Sequence, residues 1–254
     1  MQTNLNYQIK TTFVDGNSMD VFLFSPRSEG THPAVILCQH IPVGHAGLEH
    51  DTFTLTSAQR LADAGYVVAV PFIFHWWPKG QDMKVKAAEF RDDWVVNDLK
   101  ATHEILKTRP NVNESRIGII GHCWGGRVSW LGACKIPEIK ACAIFYGGRI
   151  DKKLGPSVVT EQMLSPLQHA KNITCPVAGF FGNEDQNPTP ELVNEYERAL
   201  TEHNVEFTFH RYDAAGHAFQ NFSSPDQYRE HQSEDAWEKC TNFLNQHLEN
   251  ISAT

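Results

Sequence analysis

Long apolar runs are missing from this sequence: nothing approaches the roughly 18 consecutive apolar residues that a membrane-crossing helix needs. Basic clusters are missing as well. With 22 Lys and Arg against 30 Asp and Glu, the formal charge is −8, which repels a phosphate backbone and excludes nucleic acid as an expected partner. The six cysteines form no C-x-x-C pair, so neither a zinc site nor a disulfide framework is indicated, and several lie in apolar segments as buried reduced thiols would. No internal repeat, low-complexity linker, phosphate-binding loop or dinucleotide fingerprint occurs, and no cofactor is expected. His40, His45 and His50 recur every five residues, a spacing that does not align them on one helical face, so no metal is expected either. The opening residues Met1 to Tyr7 lack a basic start and an apolar core, which makes the cytoplasm the expected location.

What is present is a chain of 254 residues, 41% hydrophobic, enough for one globular domain over 1–254 with a sizeable core. Short apolar runs alternate with helix-length amphipathic segments, the pattern of a mainly parallel, doubly wound α/β sheet covered by helices. Strands are expected over 8–14, 19–24, 34–39, 66–74, 116–121, 141–146, 177–181 and 205–212. Asp15-Gly16-Asn17 is expected to turn the first two into a hairpin. Helices are expected over 54–64, 89–109, 125–134, 190–203 and 226–248, and an irregular stretch over 147–172. Reactive groups in such sheets gather beyond the carboxyl ends of the strands.

The segment Ile119-Ile120-Gly121-His122-Cys123-Trp124-Gly125-Gly126 ends a hydrophobic strand with G-x-C-x-G-G and opens a helix, a nucleophile elbow with Cys in place of Ser. So sharp a turn tolerates no bulky side chain two residues before or after the nucleophile, and it places the thiol at a helix N-terminus, where the macrodipole favours negative charge. The partners of a nucleophile in this fold follow it as acid and then histidine. Asp185 lies in the loop Gly182-Asn183-Glu184-Asp185 after a buried strand, with Glu184 as the alternative acid. Thirteen histidines make any single one weak, but His217 lies in the Gly216-His217-Ala218-Phe219 loop after the strand over 205–212. His32, His50, His103, His169, His203, His231 and His247 read as solvated surface residues. Cys123, Asp185 and His217 thus form the expected triad, with backbone N–H groups of Ile41 and Trp124 as the expected oxyanion donors. His40, Phe74, Trp76, Trp77, Tyr146 and Phe219 are candidates for lining a substrate pocket, and Arg127 and Arg149 for contacting an anion.

These segments, with Gln39-His40-Ile41, resemble the dienelactone hydrolase (carboxymethylenebutenolidase) family over nearly the whole chain in element order. The resemblance implies an α/β-hydrolase fold and a hydrolase that passes an acyl group from a small ester, lactone or thioester to Cys123. It also shows two departures. Family members that open dienelactone carry Glu where His40 stands, and arginine four residues after the histidine, where Asn221 stands. A second family arginine falls around Gly80 to Arg91. The departures point to a substrate other than dienelactone itself. Two other classes compete: a glutamine amidotransferase, which places a Glu two residues after its histidine where this chain has Phe219, and a binding protein that keeps the shell without turnover. Oligomeric state is not legible.

Overall fold

The computed structural model describes residues 5–41, 47–155 and 165–249. Its centre is an eight-stranded sheet in the order β1-β2-β4-β3-β5-β6-β7-β8. The strands are β1 (Tyr7–Val14), β2 (Asn17–Phe24), β3 (His32–Cys38), β4 (Val67–Pro71), β5 (Val112–His122), β6 (Cys142–Phe145), β7 (Val177–Gly182) and β8 (Phe207–Tyr212). The hairpin β1-β2 and the pair β2-β4 are antiparallel, and every pairing from β4 through β8 is parallel. All residues of β4, β6 and β7 are buried, as are Pro33 to Cys38 and Ile117 to His122. That is why these strands read as unbroken apolar runs: a parallel strand covered on both faces has no solvent side to alternate toward.

The flanking helices are α1 (Thr52–Asp63), α2 (Met83–Glu89), α3 (Asp92–Lys107), α4 (Trp124–Lys135), α5 (Pro190–Glu202) and α6 (Glu230–Leu244). Asp51 caps α1 by accepting the Thr54 N–H at 2.9 Å, and Thr189 caps α5 through the Leu192 N–H. Residues Trp124 to Cys134 of α4 are all buried.

Several expectations differ from this structure. The helix expected over 89–109 begins only at Asp92, and an additional helix, α2, precedes it, the two separated by extended backbone at Phe90 and Arg91. The break buries Phe90 edge-on against Trp124, with ring centroids 5.0 Å apart, and aims Asp92 at the buried Arg127. Nothing local marks it, because tertiary packing overrides a helix-forming sequence here. The strand expected over 66–74 leaves the sheet at Pro71, and the last helix begins at Glu230 instead of residue 226. His103 and His169 are buried, not solvated.

Candidate active site

Five strand ends and the loops that leave them converge at the carboxyl edge of the parallel sheet. Cys123 follows β5 directly and starts α4, with φ 55° and ψ −116°, a conformation costly to a residue with a side chain. Steric crowding explains the flanking glycines: a Cβ at Gly121 would strike the Gly125 carbonyl, and a Cβ at Gly125 would strike the Cys38 carbonyl at the end of β3. The Cys123 N–H donates to the Phe145 carbonyl at 2.9 Å, tying the elbow to β6.

The His217 Nε2 lies 3.0 Å from Cys123 Sγ, and its Nδ1 lies 3.0 Å from Asp185 Oδ2. Asp185 is 1% exposed and also accepts the Asn187 N–H at 2.8 Å. The Asp185 and His217 loops are stitched together by the Glu184 N–H donating to the Ala215 carbonyl and by Asn183 Nδ2 donating to Asp213. Glu184, the alternative acid, points outward and is exposed. Because Asp185 accepts from Nδ1, the ring presents Nε2 to sulfur. Burial pulls the His217 pKa down, but the hydrogen bonds to Asp185 and Cys123 and the negative charge they carry outweigh it and raise the value to about 10.

Cys123 is half-buried, while Cys38, Cys134, Cys142, Cys175 and Cys240 are buried. Burial pushes the Cys38 and Cys175 thiols up to about 12 and the other three up as well. Those five are chemically quiet, and Cys123 alone among the six opens on a cleft.

That cleft, of about 360 Å³, is lined by His40, Ile41, Trp124, Arg149, Asn221 and Gln227, among others, together with Cys123 and His217. Of the pocket residues expected from sequence, only His40 lies there. Phe74 is fully buried against Phe90. Trp76 and Trp77 pack on Trp94 and donate their indole N–H groups to Asp98 and Glu89. Tyr146 stands behind His217, its ring edge-on to it at 5.3 Å, and Phe219 packs on Tyr146 and Tyr212. Aromatic side chains beside strand ends bury more area against one another and the core than they would in a polar cleft.

Arg127 makes no contact with an anion in the cleft. It is fully buried, clamped on Asp92 at 2.6 and 2.9 Å, and donates to the Arg149 and Lys152 carbonyls, so no anion reaches it. Arg149, whose backbone it holds, is exposed at the cleft with its guanidinium 6.0 Å from the Trp124 ring centre. Arg91 lies outside the cleft, stacked over Trp94. His45 lies outside the described residues. Asn187, Ser224 and Gln227 are polar residues on loops, with no sequence pattern that marks them as cleft-lining.

Behind His40 sits a second histidine–carboxylate pair. His40 Nε2 is 3.0 Å from Asp51 Oδ1, with both side chains nearly sealed from solvent. Phe53 lies edge-on to His40 and, on its other side, to His122. Burial, then the nearby His40, lowers the His122 pKa to about 3, so this ring is neutral; it pairs with Gln220 at 2.9 Å.

The Dienelactone hydrolase family matches residues 19–248. A Synechocystis sp. protein named "Putative carboxymethylenebutenolidase" is 29% identical over 261 residues, covering 96% of this chain and 100% of its own length. A Bradyrhizobium sp. protein named "Probable 2-oxo-3-(5-oxofuran-2-ylidene)propanoate lactonase" is 29% identical over 245 residues, covering 92% of each chain. Among solved structures, a "Putative Dienelactone Hydrolase" from Klebsiella pneumoniae superposes with a TM-score of 0.79 at 25% identity, covering 95% of this chain and 99% of that one.

Proposed function

The chain belongs to the dienelactone hydrolase family, and from that premise we propose that it cleaves a small ester, lactone or thioester through a Cys123-His217-Asp185 triad and an acyl-cysteine intermediate. The observation that carries the reading is the unbroken relay of two 3.0 Å contacts, sulfur to imidazole and imidazole to carboxylate. His217 holds the proton given up by the thiol while sulfur attacks the carbonyl carbon. Electron density moves onto the carbonyl oxygen, which the N–H groups of Ile41 and Trp124 receive; the Trp124 N–H opens a helix and so has no intrahelical acceptor. As the C–O bond breaks, His217 returns its proton to the leaving oxygen, and water later frees the acyl group from sulfur. Asp185 holds the ring tautomer and offsets the imidazolium charge.

Treatment with p-nitrophenyl acetate tests this. Cys123→Ala is expected to reduce turnover to background; equal rates above background would end the Cys123 reading, and wild-type activity no higher than background would favour a binding protein. Arg149, a cation at the cleft, suits a substrate bearing a carboxylate. On that account Arg149→Gln raises KM about tenfold or more for an anionic ester, the worth of one charge-assisted hydrogen bond, and leaves the neutral acetate unaffected.

A further inference from the structure

The cleft holds a second imidazole with a buried carboxylate behind it, and the relay through His217 does not use it. Asp51 Oδ1 accepts both the Thr54 N–H at 2.9 Å and His40 Nε2 at 3.0 Å. A carboxylate only accepts, so His40 must carry its hydrogen on Nε2, and its Nδ1 is left with a lone pair. Among the described residues no hydrogen bond reaches this Nδ1, and His40 is one of the residues that line the cleft. Phe53, edge-on at 5.2 Å, keeps the ring from turning. The result is an oriented, acceptor-bearing imidazole on the wall that also carries Cys123, His217 and Ile41.

We propose that His40, with its tautomer set by Asp51, is a second general base of this site and deprotonates the water that hydrolyses the acyl-cysteine; the proposal rests on the Cys123 reading above. As the water oxygen bonds to the thioester carbon, its proton moves to His40 Nδ1. The C–S bond then breaks with its electron pair going to sulfur. Sulfur is reprotonated by way of His217 from the new carboxylic acid, and His40 releases its proton to solvent. Acylation belongs to His217 and deacylation to His40. The thioester carbon is thereby attacked by a water whose base the departing sulfur does not engage.

Stopped-flow p-nitrophenyl acetate hydrolysis with intact-mass detection of the acetyl group separates the two steps. In His40→Asn the burst of nitrophenol persists, steady-state turnover falls about 100-fold, and one acetyl group accumulates on Cys123. Hydroxylamine, which attacks without a base, restores turnover. Asp51→Asn keeps a good helix cap while letting an amide N–H donate to Nε2, which moves the ring hydrogen to Nδ1; it is expected to slow the same step and spare the burst. If burst and turnover fall together in both variants, or neither changes while Cys123 still acylates, the role of His40 is refuted and the triad stands. If no variant, nor wild type, acylates Cys123 and activity survives Cys123→Ala, both readings are refuted together.

Discussion

At the scale of single residues, the difference between Cys123 and the five other cysteines is one of surroundings. Each buried thiol is held neutral by apolar packing, whereas Cys123 has an imidazole 3.0 Å away and faces a cleft. Iodoacetamide is therefore expected to label Cys123 alone in the folded protein, read by peptide mass mapping, and to abolish turnover in proportion. Replacing sulfur by oxygen is a second test. Cys123→Ser should retain no more than about a hundredth of wild-type activity, because His217 must then ionise a hydroxyl instead of a thiol. The pKa of His217 is raised from 6.5 to about 10, so its partners stabilise the fold through the charged ring. That contribution is complete below the ordinary value and is lost as pH rises through the raised one. In urea unfolding, the advantage of wild type over His217→Asn should accordingly narrow as pH climbs from about 6.5 to about 10.

At the scale of elements, the β5-α4 elbow and the segment after β6 are held by buried polar contacts. Arg127 on α4 reaches Asp92 at the start of α3 and the carbonyls of Arg149 and Lys152 beyond β6. Removing the guanidinium alone would strand a carboxylate of which only 13% is exposed. Arg127→Met should cost about 3–5 kcal/mol in urea unfolding. Adding Asp92→Asn should recover much of the loss, since the uncompensated charge is then gone. Gly125→Ala would drive a Cβ into the Cys38 carbonyl and should destroy turnover by moving the Trp124 N–H, even where circular dichroism shows the helices intact.

At the scale of the whole molecule, the sheet is both the core and the platform of the site. Ile120 lies in register between Leu37 of β3 and Ala143 of β6 and is fully buried. Ile120→Ala should destabilise the protein by about 2–5 kcal/mol through lost transfer energy and a cavity, yet leave kcat per folded molecule nearly unchanged, because Cys123, Asp185 and His217 are carried by turns and loops past the strand ends. Phe13, on the outer strand β1 and 74% exposed, buries almost nothing, so Phe13→Ser should alter stability by less than about 0.5 kcal/mol. Both are read from urea unfolding beside an active-site titration.

Much of this was legible in the residues themselves. The unbroken apolar runs announced buried parallel strands, and Asp15-Gly16 announced the hairpin. The glycines around Cys123 announced a turn too tight for side chains, and the order of Cys123, Asp185 and His217 followed the order of strand ends. Those signals are local: each depends on backbone geometry within a few residues. What only the tertiary structure decided is everything that depends on distant partners. The break at Phe90 exists because Trp124 and Arg127 wait for it. Trp76, Trp77, Phe74, Tyr146 and Phe219 turn into the packing and leave the cleft, while Asn187, Asn221 and Gln227 line it. Asp51, locally no more than a helix cap, becomes the acceptor behind His40 through a contact across a loop. Periodicity and turn chemistry are written along the chain, but which side chain meets which across space is set by how the layers close on one another.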